Sequence, residues 1–332
     1  MFARLFGKKS PKAGKGQLLV RVASKRKVAE TVWELILKHP EGGDLPSWGA
    51  GAHIDIVLEK NLVRQYSLAG NPADRSCYQL AVLLEPESRG GSTRICHEVS
   101  EGDELVISEP RNHFALSMEA DFYLLIAGGI GVTPLLAMAH QLHAVGKSFR
   151  FCYRSRSASW AAFAKELADQ PWSDKVEYYF SDEGGRESFK FKEILANAPS
   201  NSQLYVCGPN SFIEMVEQDA TDVLGEESVH SERFYPEEHD TSGDKAFELV
   251  CEKSGVTVEV PADQSIVQVL EANGIDVPTS CTEGICGSFI SKVIEGEVEH
   301  RDEVLTKADR EKRHLFTPCC SRARGDRLVA DL

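Results

Sequence analysis

The cysteines near the C-terminal end of the chain constrain its fold more than any other feature. Residues 280–289 read Ser-Cys-Thr-Glu-Gly-Ile-Cys-Gly-Ser-Phe, and Cys319 follows in a later Thr-Pro-Cys-Cys-Ser-Arg segment. Plant-type iron–sulfur loops have the spacing C-x4-C-x2-C with a distant fourth cysteine, because four thiolates must converge on two irons. Cys281, Cys286 and Cys319 fit three of these positions. The pattern predicts a small 2Fe-2S domain at this end of the chain.

Phe289 stands where that pattern places its third cysteine. A phenyl ring is no ligand for iron, so either another residue completes the site or the cluster is lost. One candidate is Cys320, which we expect to point away because successive side chains on an extended segment face opposite sides. The other is Ser288, a harder oxygen ligand. The sequence favours a cluster that is held poorly or not at all, with an intact cluster in a rearranged loop as the alternative.

Composition limits the partners and the location of the protein. The formal charge of -14 and an isoelectric point near 5.3 disfavour nucleic acid and anionic membranes and favour docking onto a basic protein surface. Residues 1–16 are basic but lack the apolar stretch of a secretory signal, so we expect a disordered tail. No run is long enough to span a membrane. Cys77, Cys96, Cys152 and Cys251 stand singly, as buried thiols do in a reducing compartment. We expect a soluble, cytoplasmic protein.

Hydrophobic periodicity divides the chain into three domains. Short alternating patterns between Gly and Pro residues predict an antiparallel β-barrel over residues 17–117. Residues 118–234 open on the apolar run 122–127 and then alternate strand with helix, which predicts a doubly wound α/β domain. Residues 235–245 have the polar composition of an exposed linker. A hairpin pattern, a helix and the cysteine loop over residues 246–332 suit a β-grasp ferredoxin domain.

A glycine-rich turn follows the first buried strand of the α/β domain. Residues 127–134 read Ala-Gly-Gly-Ile-Gly-Val-Thr-Pro. Glycines here let the backbone approach a pyrophosphate at a helix N-terminus. Thr133 is placed to cap that helix, and Pro134 suits its first turn because no N–H is needed there. The turn is a candidate dinucleotide site, although alone it is equally compatible with a structural role. Its glycines are Gly128, Gly129 and Gly131.

A second turn, Cys207-Gly208-Pro209, ends a later strand of the same domain. Ligands of open α/β sheets bind at the carboxyl ends of the strands. The two turns together therefore predict a dinucleotide site. Cys207 alone could be filler at a strand end, but beside the first turn it is predicted to line the nicotinamide.

The barrel carries residues suited to a phosphate and a flat ring. An arginine fork, a Gly-Gly backbone nest and a hydroxyl bind a phosphate monoester, and a tyrosine offers its face to a ring. Each of these residues alone is more often an ordinary strand or turn residue. The group comprises Arg64, Tyr66 and Ser67, followed by Arg89, Gly90, Gly91 and Ser92.

Taken in order, these motifs resemble those of the phthalate dioxygenase reductase family. The likeness covers nearly everything from residue 17 to residue 332, and it includes Glu-Pro-Arg-Asn-His-Phe at 109–114 and His-Ser-Glu-Arg-Phe at 230–234. The resemblance implies FMN rather than FAD between the barrel and the NAD domain, NADH as the favoured reductant, and a 2Fe-2S cluster in the C-terminal domain.

The resemblance also implies roles for single residues. The flavin phosphate is expected to be held by Arg64, Gly90, Gly91 and Ser92. Tyr66 and Phe234 are expected to flank the flavin ring, and Ser67 is expected to hydrogen-bond near its reactive N5. Thr133 is expected where the flavin and nicotinamide sites meet.

Arg154 and Arg156 follow a strand of the α/β domain. They are candidates for contact with the adenosine ribose or with a 2'-phosphate, and the alternative is an exposed role without a ligand. These arginines leave NADPH open as a reductant.

Electron counts order the cofactors. NADH releases two electrons as a hydride and a 2Fe-2S cluster carries one, so a flavin must lie between them.

The resemblance implies a Rieske-type aromatic oxygenase or O-demethylase as the transient partner of a monomeric reductase. The alternative is an NAD(P)H flavin reductase or diaphorase with a cluster-deficient C-terminal domain. Complete cofactor motifs argue against a non-catalytic docking protein. We predict no catalytic histidine or carboxylate, and the ten histidines are interpreted as surface or structural.

Overall fold

The computed structural model describes residues 12–59, 62–85, 90–184, 189–236, 239–275, 277 and 280–332. The chain forms two compact units, Met1–Arg233 and Phe234–Leu332. Most of the predicted basic tail, residues 1–11, lies outside the described residues. The same holds for Arg89, one of the predicted phosphate-binding residues, and for positions 237 and 238 of the predicted linker.

The first half of the first unit is an antiparallel β-barrel, as predicted. Alternating apolar residues of its strands fill one core, which includes Val20, Leu35, Ile54 and Leu80. The sheet order is β4-β3-β6-β1-β2-β5, with β7 on β3, and an antiparallel bridge between Leu68 and Leu80 joins the two ends of the sheet. Its elements are β1 Gln17–Ala29, β2 Val32–Lys38, β3 Ala52–Glu59, β4 Leu62–Ser67, β5 Tyr78–Leu83, α1 Gly91–His97, β6 Glu104–Ser108 and β7 Arg111–Asn112.

A parallel sheet with helices forms the second half of the first unit. The sheet order is β10-β9-β8-β11-β12, which confirms the doubly wound prediction. The chain crosses from one side of β8 to the other, so the topological switch point lies between β8 and β11. The elements are β8 Phe122–Gly128, α2 Val132–Ala144, β9 Ser148–Ser155, α3 Ala164–Ala168, β10 Val176–Phe180, α4 Ser181–Gly184, α5 Phe191–Ala196, β11 Ser202–Gly208, α6 Asn210–Leu224 and β12 Val229–Arg233.

The second unit is a mixed sheet with a packed helix, as a β-grasp domain requires. The order is β14-β13-β19-β15-β17, and β13 and β19 are parallel. Helix α7 begins with a capping box between Ser265 and Gln268 and ends at Asn273, before Gly274. The elements are β13 Phe247–Cys251, β14 Val256–Val260, α7 Ile266–Ala272, β15 Ser291–Glu295, β16 Val298–Glu299, α8 Lys307–Glu311, β17 Leu315–Phe316, β18 Arg322–Ala323 and β19 Arg327–Ala330.

The last residues of the predicted linker are fixed to the second unit. Asp244 is buried and accepts a hydrogen bond of 3.0 Å from Arg301 Nη1, and Arg322 Nε lies 3.4 Å from its carboxylate. Arg322 also donates to the carbonyl of Lys245, at 3.1 Å. The polar composition of this stretch therefore reflects a buried ion cluster as well as exposed chain.

None of the helices within the described part of the chain is long and apolar enough to cross a membrane.

Candidate functional site

The two glycine turns meet at the switch point of the parallel sheet. A Cβ atom built at Gly131 would lie 2.2 Å from the Cys207 carbonyl oxygen, and one built at Gly208 would lie 3.0 Å from the Gly128 Cα. Only glycine permits this approach. Gly129 has a φ of +55° and faces open space among the described atoms. The paired turns thus form a backbone cradle that fits a pyrophosphate.

Thr133 does not cap the helix after the first turn, so that prediction is wrong. Helix α2 begins two residues earlier, at Val132, with Gly131 at its N-cap position and no side-chain cap. Thr133 is buried inside the first turn, where its hydroxyl donates to the Ile130 carbonyl at 3.0 Å. Pro134 lies in the first turn, as predicted. The N–H groups at the start of α2 are therefore left without a side-chain cap.

Glu232 joins the barrel to the parallel sheet. It lies opposite Cys207 in the register of β11 and β12, and it accepts a hydrogen bond of 3.3 Å from Ser67 Oγ at the end of β4. Burial raises the pKa of Glu232 to about 8 and raises the pKa of the Cys207 thiol well above its usual value. At neutral pH both groups hold their protons. Three neutral hydrogen-bonding side chains thus line one point between the barrel and the nucleotide cradle.

Sequence reasoning quoted Glu232 within a motif but gave it no role. A single glutamate on a strand carries no local signal. Only the pairing of β12 with β11 and the meeting of β4 with this edge bring it to Ser67 and Cys207.

The predicted phosphate-binding residues lie together around Arg64. A Cβ atom built at Gly91 would lie 2.5 Å from Arg64 Cγ and Nε, so the arginine side chain passes directly over that glycine. Gly90 is left-handed, with a φ of 88°, and Ser92 is buried and accepts from the Glu85 N–H at 3.2 Å. This cradle fits a phosphate, since it combines a guanidinium group with a glycine turn.

The aromatic candidates lie in different units. Tyr66 is half-buried on β4 and packs against the barrel core. Phe234 follows β12 directly and is the first residue of the second unit. The role of both as ring partners stays a prediction.

Arg154 and Arg156 lie at the carboxyl end of β9 and have aromatic neighbours. The Arg154 guanidinium lies over the Phe212 ring, 5.4 Å from its centroid. Arg156 lies 5.1 Å over Trp160, and its Nε is 3.6 Å from an Asp182 carboxylate oxygen. Arg156 is therefore partly neutralised by an acidic partner.

The cysteine loop has hydrogen bonds directed at its sulfurs. The N–H of Glu283 donates to Cys281 Sγ and the N–H of Ser288 donates to Cys286 Sγ, each at 3.3 Å. Hydrogen bonding between the two side chains lowers the pKa of the Cys286 thiol and raises that of Cys281. The loop thus presents two adjacent sulfurs with backbone N–H groups directed at them.

The side chain of Phe289 is fixed in the core, so a movement of the loop cannot bring another side chain into its position. Its side chain is buried in the hydrophobic core of the second unit, together with Phe247, Leu270 and Phe316. Within the described ranges, no group of three or more His, Cys, Asp or Glu side chains is placed to hold one metal ion. Position 289, where the pattern places its third cysteine, is therefore apolar, and the role of Cys281, Cys286 and Cys319 as iron ligands stays a prediction.

Comparison with known proteins agrees with this architecture. Residues 249–324 match the 2Fe-2S iron-sulfur cluster binding domain family. The chain is 40% identical over 314 residues to vanillate O-demethylase oxidoreductase of Pseudomonas sp. (strain HR199 / DSM 7063), which covers 94% of this chain and 99% of that protein. It is 36% identical over 318 residues to phthalate dioxygenase reductase of Burkholderia cepacia, covering 96% and 98% of the two chains.

A solved structure is similar over nearly the whole chain. It is described as phthalate dioxygenase reductase, a modular structure for electron transfer from pyridine nucleotides to 2Fe-2S, and it matches with a TM-score of 0.73 at 35% identity over 96% of this chain and 98% of that chain.

Fold and site together define a flavin- and nicotinamide-dependent oxidoreductase with a C-terminal iron–sulfur domain. The chain belongs to the phthalate dioxygenase reductase family, and its similarity to vanillate O-demethylase oxidoreductases confirms the resemblance seen in the motifs.

Proposed function

We propose that this protein is the reductase component of a Rieske-type aromatic oxygenase or O-demethylase, passing electrons from NADH through FMN to a 2Fe-2S cluster and on to the oxygenase. The observation that carries the proposal is the hydrogen bond from Ser67 to Glu232. It ties the barrel that holds the phosphate cradle to the sheet edge that holds the dinucleotide cradle. When bound, the flavin supplies the conversion from hydride to single electrons.

The residues of this chain position the reactants and keep charged side chains away from the point where the two cradles meet. Arg64 and the turn at Gly90–Gly91 hold a phosphate monoester, which favours FMN over FAD. Ser67 and the protonated Glu232 keep uncharged hydrogen-bonding groups at the meeting point of the two cradles. Cys207 is fully buried at the strand end, where its neutral thiol supports the backbone of the dinucleotide cradle from beneath.

NADH is supported over NADPH by the Arg156–Asp182 pair. A carboxylate 3.6 Å from Arg156 competes with a 2'-phosphate for the guanidinium and repels its charge.

The formal net charge of -14 suits transient docking onto a basic face of the oxygenase. We further propose a monomer in the cytoplasm, where the free state of all nine cysteines would be maintained.

The flavin assignment is tested by Arg64→Ala with Arg94→Ala as its control. Arg94 is a neighbouring arginine paired with Glu59 at 2.6 Å and lies outside the cradle. We expect Arg64→Ala to release FMN on gel filtration while Arg94→Ala retains it. Extracted flavin is identified by chromatography and its bleaching by NADH is recorded. Equal retention by both variants, or extraction of FAD, contradicts the assignment.

A second candidate function rests on Phe289. A chain that lacks its cluster would act as a flavin reductase or diaphorase. The two functions separate on a one-electron protein acceptor: a complete relay reduces it with NADH, whereas a chain that stops at the flavin reduces ferricyanide but not the protein acceptor.

A further inference from the structure

Besides the three thiols already assigned and Cys251 on β13, the second unit carries Cys320. Cys320 follows Cys319 directly, and its side chain is half-buried beside the cysteine loop. The expectation that it points away assumed an extended segment. Residues 318–320 instead form a turn, in which the N–H groups of Cys320 and Ser321 both donate to the Thr317 carbonyl, at 3.4 and 3.1 Å. In a turn, neighbouring side chains are not forced to opposite sides.

The Cys320 sulfur reaches the loop that carries the other ligands. A Cβ atom built at Gly284 would lie only 2.5 Å from Cys320 Sγ, so the sulfur packs on the backbone midway between Cys281 and Cys286. Gly284 has a φ of +76° and has no side chain that would separate its backbone from the Cys320 sulfur. Cys320 therefore lies against the stretch of backbone that joins Cys281 to Cys286.

These four thiols form two pairs. The Cys281 side chain interacts with that of Cys286, and the Cys319 side chain interacts with that of Cys320. A 2Fe-2S cluster needs four cysteines shared by two irons. Four thiols arranged as two pairs can meet that requirement, because each iron takes two thiolates and no single iron needs three.

Ser288 is the rival ligand. Its Oγ is buried and has no hydrogen-bond partner among the described atoms, and it adjoins Phe289. Thiolate sulfur is the softer donor and is preferred by iron–sulfur clusters. The nearby Asp302 carboxylate, whose charge disfavours a second anion at Cys320, is itself held by the Leu305 N–H at 2.9 Å and by Arg310 at 3.3 Å.

We propose that Cys320 supplies the fourth thiolate of the iron–sulfur cluster in place of the residue at position 289. The Cys320 thiol gives up its proton to solvent when its sulfur binds iron. The proposal rests on the proposed relay and explains how the chain keeps it despite Phe289.

The test uses the full chain after anaerobic reconstitution with iron and sulfide. The variants are Cys320→Ala, Ser288→Ala and the double variant Phe289→Cys/Cys320→Ala. Iron, acid-labile sulfide, the visible spectrum and the electron paramagnetic resonance signal of the reduced protein are measured. We expect about two irons per chain in the unmodified protein, and a fall of about tenfold in Cys320→Ala. Ser288→Ala should keep its iron, and the double variant should regain it.

Full iron in Cys320→Ala overturns the proposal, as does loss in Ser288→Ala with retention in Cys320→Ala, or an unmodified chain without iron. If Cys320→Ala does not fold, Cys320→Val, which also has no ligand atom, takes its place, and the same readings apply. Flavin bleaching by NADH is recorded on every sample, because its failure would contradict the proposed function rather than the ligand assignment.

Discussion

At the scale of single residues, Glu232 is the most informative side chain of the first unit. Its carboxyl group lies beside Ser67 and Cys207. Loss of solvent around it raises its pKa, which keeps it protonated at neutral pH. Glu232 is half-buried, and a protonated acid of this kind remains a hydrogen-bond donor where a charged one would repel a reduced flavin.

Replacing Glu232 with Gln should remove a pH dependence of stability. Its pKa is about 8 in the folded protein, against 4.5 as the ordinary value. Its contribution is fully present below the lower value and is lost as pH rises through the upper one. We expect the unfolding free energy of the unmodified chain to fall more steeply between these values than that of Glu232→Gln.

Tryptophan fluorescence in urea measures this in the first unit alone, because Trp33, Trp48, Trp160 and Trp172 all belong to it. Parallel pH profiles for the two proteins would show that Glu232 is not the titrating group.

Asp182 is expected to set the choice of nucleotide. Asp182→Ser frees Arg156 for a 2'-phosphate, and kcat/KM for NADPH should rise about tenfold, which is about what one charge-assisted hydrogen bond contributes. Asp169→Ser removes an exposed carboxylate of the same unit and should leave the NADPH to NADH ratio unchanged. A ratio that moves equally in both variants would point to net charge rather than to the Arg156 pair.

At the scale of elements, the end of β11 and the start of α2 are in backbone contact through Gly131. Gly131→Ala places a methyl group against the carbonyl of Cys207 and the N–H of Gly208. These backbone atoms cannot rotate away as a side chain would, so β11 must shift. We expect a loss of about 1–3 kcal/mol of stability and a higher KM for NADH.

Gly243→Ala is the control, because nothing described lies within 4 Å of a Cβ atom there. Urea unfolding and NADH kinetics are compared for the two variants. An unchanged KM in Gly131→Ala would show that the contact of the turns does not shape the nucleotide site.

At the scale of the whole molecule, the chain has two units, and the electron route requires both. The second unit is anchored at its start by the buried cluster of Asp244, Arg301 and Arg322. Hydrogen bonding to Arg301 lowers the pKa of Asp244, so the cluster stabilises the unit above the ordinary pKa of an aspartate and is lost as pH falls.

Asp244→Asn should leave two guanidinium groups without their charge partner and destabilise the second unit by about 3 kcal/mol. Scanning calorimetry should show an earlier transition for this unit, while tryptophan fluorescence of the first unit stays unchanged. Asp240→Asn alters an exposed aspartate bonded to the Ser242 N–H and is expected to have little effect. Equal effects of the two variants would exclude the buried cluster as the cause.

The sequence by itself determined the three domain types, the two glycine turns, the set of predicted phosphate-binding residues around Arg64 and the cysteine loop. These features are written in local patterns, since strand periodicity, glycine turns and ligand spacing depend on residues near one another in the chain. The start of α2, and with it the position of Thr133, depended on a difference of two residues that local propensity does not resolve.

Only the tertiary structure decided which distant groups meet. Ser67, Cys207 and Glu232 come from three separate strands and are joined by sheet order and closure of the barrel. Cys320 faces the loop of Cys281 and Cys286 because a turn and a glycine bring them together. Such contacts form when packing satisfies the whole core at once, and no stretch of sequence encodes them alone.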